Sequence, residues 1–91
     1  MEYEVIYTKG ADKSIAKFSK SNPKAYKKIF EFIKELHEHP RTGTGHPEPL
    51  LEGNNSTYSR CITKKDRLVY NIYDESVTVL VLTAEGHYND K

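Results

Sequence analysis

The sequence predicts an α+β domain of order β-α-α-β-β-β, with two N-terminal helices packed on a small antiparallel sheet. Three observations predict it: a β-rich start, apolar residues at helical spacing between residues 9 and 39, and three β-rich runs after residue 56. At 91 residues the chain fits one domain, 1–91, with no stretch that reads as a linker, internal repeat or low-complexity tract.

"EYEVIY", residues 2–7, is rich in β-formers and reads as the first strand, ending in the stretch from Thr8 to Gly10. Beyond it, Ala11, Ile15 and Phe18 share one side of a 3.6-residue period, and Lys9, Lys13, Lys17 and Lys20 share the other. This is an amphipathic helix with a lysine back. The second helix opens with Asn22 as N-cap and Pro23 at its first position, carries Tyr26, Ile29, Phe30, Ile33 and Leu36 on its apolar side, and runs to about His39, where Pro40 stops it. Its outer face mixes Lys27, Lys28 and Lys34 with Glu31, Glu35 and Glu38, the pattern of a solvated surface with i,i+4 pairing.

Pro40, Gly43, Gly45, Pro47, Pro49 and Gly53 make residues 40–56 a loop. "TYSRCIT", "DRLVYNIY" and "SVTVLVLT" then follow with short breaks at 64–65 and 74–75, as an antiparallel meander requires. The tail "AEGHYNDK" closes the chain.

A formal net charge of +1 excludes an argument from overall charge, but its distribution is uneven. Residues 1–45 hold nine Lys/Arg against six Asp/Glu, and residues 46–91 hold five against seven. The single cysteine, Cys61, allows no intramolecular disulfide, and the start does not read as an apolar signal segment, so a reducing cytoplasm is expected. The longest apolar run, at 77–82, is far short of the ~20 residues that span a bilayer.

Among residues able to do chemistry, Glu48 stands out because Pro47 fixes its own φ and Pro49 pushes Glu48 toward extended geometry. On the loop alone, stiffening of a surface segment is the favoured reading of the prolines, and a functional glutamate needs further support. His87 can exchange a proton near neutrality and Glu48 is ordinarily ionised, so the two can form an acid and base pair, with Tyr88 beside the histidine. Arg60 and Arg67 read either as solvated edge charges or as phosphate-gripping groups. His37, His39 and His46 have no thiolate companion or recognised ligand spacing, so no metal is expected, and His37 reads as a packed or flanking histidine. "GTG" at 43–45 lacks the ending of a phosphate loop, and Cys61 reads as a packing residue.

"GHPEPL" at 45–50, "YSRCIT" at 58–63, "DRLVY" at 66–70 and "GHY" at 86–88, in this order after a strand and two helices, together resemble a YoeB/Txe-type toxin of the RelE superfamily. The resemblance covers essentially the whole chain. It implies the RelE/YoeB-like microbial RNase fold and the toxin half of a bacterial type II toxin–antitoxin pair. The implied activity is ribosome-dependent cleavage of mRNA in the A site, without cofactor or metal. Glu48 matches the family's general base, Arg67 its transition-state arginine, His87 its general acid, and Tyr88 the adjacent tyrosine that helps place substrate. Arg60, Lys9, Lys13, Lys17, Lys20 and Lys28 would contact RNA and the ribosome. The implied partners are a YefM/Axe-like antitoxin, the ribosome and mRNA, operator DNA only through the antitoxin complex, and a second copy of the chain in a homodimer, with no membrane. Three features depart from the family pattern: Cys61 where Ser-Arg-Arg is usual, Glu85-Gly86 before His87, and a charge of only +1. They leave open a catalytically weak homologue acting as a binding module or antitoxin co-repressor, and more weakly a ribosome-independent RNase.

Overall fold

The computed structural model describes residues 2–50 and 56–85. Its elements are β1 (Glu4–Tyr7), α1 (Lys9–Ser21), α2 (Pro23–Glu38), β2 (Glu48–Pro49), β3 (Thr57–Cys61), β4 (Arg67–Tyr73) and β5 (Thr78–Thr83). They form one sheet of order β1-β5-β4-β3-β2 covered by two helices. The α+β class, the two helices and the β3-β4-β5 meander agree with the sequence reading. Two features of the sheet do not. β1 lies parallel to β5, with Val5 beside Val79 and Tyr7 beside Val81, so the sheet is mixed. Residues read as pure loop contribute β2, which pairs antiparallel with β3. Neither pairing has a local turn signal, because each joins segments whose direction is set by the chain between them.

Local chemistry fixes the helix ends. The Thr8 hydroxyl accepts from the Ala11 amide at 3.0 Å and donates to the Leu82 carbonyl at 2.8 Å, so the cap of α1 is also its tie to β5. Ser14, buried on α1, adds a second tie by accepting from the Ala84 amide at 2.9 Å. Asn22 ends α1 and begins α2: its own amide donates to Phe18 O, and its side chain accepts from the Ala25 amide. The first meander turn is closed by Thr63, whose hydroxyl accepts from the amides of Lys65 and Asp66 and donates to the Asp66 carboxylate.

Ala11, Ile15 and Phe18 of α1 and Ala25, Ile29, Phe32, Ile33 and Leu36 of α2 pack on Leu68, Tyr70, Ile72, Val79 and Val81. Phe30, read from sequence as part of the apolar face of α2, is 46% exposed, and Phe32 takes the core position instead. The buried stripe is centred on Ile29, Phe32 and Leu36, an i, i+3, i+7 set that leaves Phe30 on its edge against Tyr26. His37 is half-buried and flanking, as read: its Nδ1 donates to the Tyr3 carbonyl at 2.8 Å. Among the described residues no helix is long and apolar enough to cross a membrane.

Candidate active site

Glu48 is delivered to the sheet edge by a strand of two residues. It pairs in register with Ser59, and Pro49 pairs with Tyr58. Pro47 and Pro49 carry no N–H, so beside the Glu48–Ser59 pairing the main-chain bonds that seat this segment flank it. Cys61 N donates to Gly45 O at 2.7 Å, and Leu50 N donates to Thr57 O at 2.9 Å.

Strand alternation then decides which side chains meet. Tyr58, Arg60, Leu68, Tyr70 and Ile72 share the helix-covered face, so Glu48, Ser59, Cys61, Arg67 and Val69 share the opposite one. On that face Glu48 Oε2 lies 3.5 Å from Arg67 Nη1, two strands away. The Glu48 side chain is 57% exposed and that of Arg67 28%, so a carboxylate open to solvent sits beside a partly covered guanidinium. Between them in the ladder, Ser59 is buried, and its hydroxyl has no hydrogen-bond partner among the described residues. The base and the transition-state arginine expected from the sequence are therefore neighbours in space. His87 and Tyr88 lie outside the described residues.

Arg60 does not belong to this surface. It is fully buried on the helix face, where its Nε donates to the Tyr70 hydroxyl at 3.0 Å and its Nη1 to the Glu35 carboxylate and Thr44 O. Nη2 faces the carbonyls of His39, Pro40 and Thr42, at 3.1, 3.4 and 2.8 Å. A guanidinium has five N–H donors, and all are committed here, so none remains for a phosphate. This corrects the expectation that Arg60 contacts RNA. The clue lay in strand parity: Arg60 falls between Tyr58 and Ile62 on the apolar alternation of β3, while Ser59 and Cys61 take the other side.

Glu35, read as part of a solvated helix face, is the missed partner. It accepts from the Thr44 amide at 3.0 Å and the Thr44 hydroxyl at 2.9 Å as well as from Arg60. Burial pushes its carboxyl up, but the two Thr44 bonds and the Arg60 charge outweigh that and hold it below the ordinary carboxylate value. Burial raises the Tyr70 hydroxyl, which donates to Pro40 O at 2.8 Å and so acts here as a neutral donor. Gly43 and Gly45 admit this crowding. A Cβ on Gly45 would stand 2.5 Å from Phe32 Cζ, and one on Gly43 2.2 Å from Glu35 Oε1, both at positive φ.

Lys9, Lys13, Lys17, Lys20 and Lys28 are exposed, on helices that cover the face away from Glu48 and Arg67. Lys17 pairs with Glu85 at 3.1 Å, and Lys28 donates to Ile62 O at 3.1 Å.

Residues 7–88 match the family model described as a YoeB-like toxin of a bacterial type II toxin–antitoxin system. The chain belongs to the YoeB toxin family. Toxin YoeB of Escherichia coli K12 is 37% identical over 71 residues, which is 78% of this chain and 82% of the relative. Among solved structures, the YoeB dimer from Staphylococcus aureus matches with a TM-score of 0.82 at 27% identity, covering 97% of this chain and 100% of that one. The YoeB–YefM complex from the same organism matches with a TM-score of 0.77 at 28% identity, with the same coverage. The protein is thus a YoeB-family toxin of a type II toxin–antitoxin system with the RelE/YoeB fold, and Glu48 and Arg67 lie side by side on the helix-free face of its sheet.

Proposed function

We propose that this toxin is a ribosome-dependent endoribonuclease that cleaves mRNA in the A site, with the pair Glu48–Arg67 at its centre. The observation that carries the reading is the 3.5 Å approach of an exposed carboxylate to an arginine on the open face of the sheet. RNA brings its own nucleophile, the ribose 2′-OH. Glu48 removes that proton, and Arg67 offers planar donors to the non-bridging oxygens as negative charge builds on the phosphorus. The His87 imidazolium gives a proton to the departing 5′-oxygen, while Tyr88 helps place the nucleotide. The products are a 2′,3′-cyclic phosphate, or the 3′-phosphate from its opening, and a 5′-hydroxyl. These residues need no metal or cofactor for that sequence of proton transfers.

The contact between Glu48 and Arg67 in the free toxin holds both groups near their working positions, so little ordering is left to the reaction step. Exposed Lys9, Lys13, Lys17, Lys20 and Lys28 supply a sequence-independent attraction to ribosomal RNA phosphates. The relatives solved as a YoeB–YefM complex and as a YoeB dimer support a YefM-like antitoxin and a homodimer as partners of this chain in a bacterial cytoplasm. Operator DNA is reached only through the antitoxin complex.

The test expresses the native chain, Glu48→Gln and His87→Ala in bacteria and maps mRNA 5′ ends. Growth arrest with codon-phased cuts is expected for the native chain alone. Equal arrest by all three, or none by the native chain, overturns the proposal in favour of a binding module. Cleavage of naked RNA at the same sites by purified protein would make the enzyme ribosome-independent.

A further inference from the structure

We propose that Arg60, buried and neutralised by Glu35, is a positioning residue that sets the place of Glu48 by gathering the chain between α2 and β2 around one guanidinium. The proposal builds on the reading of Glu48 as the general base. Glu48 needs such support because its own strand supplies little. β2 has two residues, one of them Pro49, and Pro47 precedes it, so beyond the pairing of Glu48 with Ser59 its main-chain ties to β3 lie at Gly45 O and Leu50 N.

Upstream of Gly45 the chain lacks regular structure, yet four of its carbonyls, those of His39, Pro40, Thr42 and Thr44, face Arg60. Glu35 adds a carboxylate from α2 that holds both the Thr44 amide and hydroxyl. Tyr70, on the central strand β4, bonds Arg60 Nε and Pro40 O together. The loop is thereby referenced to β3, β4 and α2 at once, ending four residues before Glu48. The rings of Phe32 and Tyr70 lie 5.8 and 5.9 Å from the guanidinium carbon and close the cage on its apolar side. A charge so enclosed cannot greet substrate. What it can do is convert a glycine- and proline-rich loop into a fixed mount, and a misplacement of about 1 Å at a catalytic group costs on the order of 10²-fold in rate.

The deciding experiment measures single-turnover mRNA cleavage on programmed ribosomes, at a temperature where circular dichroism shows each variant folded. Glu35→Ala, which removes the charge and both Thr44 contacts, is expected to lower the saturating rate by about 10- to 100-fold while the ribosome concentration at half-saturation stays within about twofold. Glu35→Gln, which keeps an acceptor for Thr44 and Arg60, should restore most of that rate. Thr44→Val, an exposed substitution that removes only the hydroxyl bond, should lose rate several-fold and decides the question if Glu35→Ala does not fold. On a Glu48→Gln background the Glu35→Ala loss should vanish, because a residue acting through the base has nothing left to position. Full activity in folded Glu35→Ala and Thr44→Val, or an undiminished loss on the Glu48→Gln background, overturns the positioning role. An unchanged rate in Glu48→Gln itself would instead overturn the reading of Glu48 as base, so the two failures are separable.

Discussion

At the residue scale, Glu35 couples the site's scaffold to pH. Its folded carboxyl lies below the ordinary 4.5 because Thr44 and Arg60 outweigh the upward push of burial. A carboxyl depressed in the folded state contributes stability that is fully present above its unfolded value and is lost as pH falls through the folded one. The native chain is therefore expected to exceed Glu35→Gln in urea-unfolding free energy by its widest margin near neutrality. That margin should shrink below roughly pH 4 as the carboxylate protonates. A margin independent of pH would mean that the Glu35 charge does not contribute. The residue types at the open face were legible in the sequence: a glutamate between two prolines and an arginine starting a β-run are local patterns, and Glu48 and Arg67 do meet. The Arg60–Glu35 pair was not legible in the same way. Its members are 25 residues apart, and a charged residue within a strand or helix looks solvated until the packed face of each element is known.

At the element scale, Asn22 serves two helices at once. It receives the end of α1 through its amide and starts α2 through its side chain, which accepts from Ala25 N at 3.2 Å. Asn22→Ala removes the side-chain cap and should cost about 1 kcal/mol. For a domain of this size that corresponds to a fall of roughly 4–8 °C in melting temperature, read by calorimetry. A fall of under about 1 °C would show that water replaces the cap without loss. The helices were readable because caps, prolines and 3.6-residue periodicity lie within each element. β2 was not, since two residues, one a proline and the pair preceded by another, have no strand signature of their own. It exists because β3 presents Tyr58 and Ser59 to it and because the preceding loop is held elsewhere.

At the scale of the whole molecule, the sheet divides the labour. Helices and core occupy one side, the Glu48–Arg67 pair the other, and β1 closes the edge by running parallel to β5. That closure pairs residues more than 70 positions apart, so the meander could be read from short breaks while the place of the first strand could not. Charge follows the same division. The excess of positive residues read in the first half of the chain resides on the exposed backs of α1 and α2, away from the open face. In the proposed function those lysines act through attraction to phosphates, and such attraction has a measurable signature, because each phosphate contact releases a counterion and adds roughly 0.7–0.9 to the slope of log affinity against log salt. Lys13 and Lys20 are exposed and Lys17 is paired with Glu85, so Lys13→Gln with Lys20→Gln is the cleanest test. The double variant should bind ribosomes with a slope shallower by about 1.5, and weaker at low salt, while its saturating cleavage rate stays at the native value. An unchanged slope would mean that these lysines meet no phosphate, and a fall in saturating rate would mean that the helix face reaches the chemistry after all.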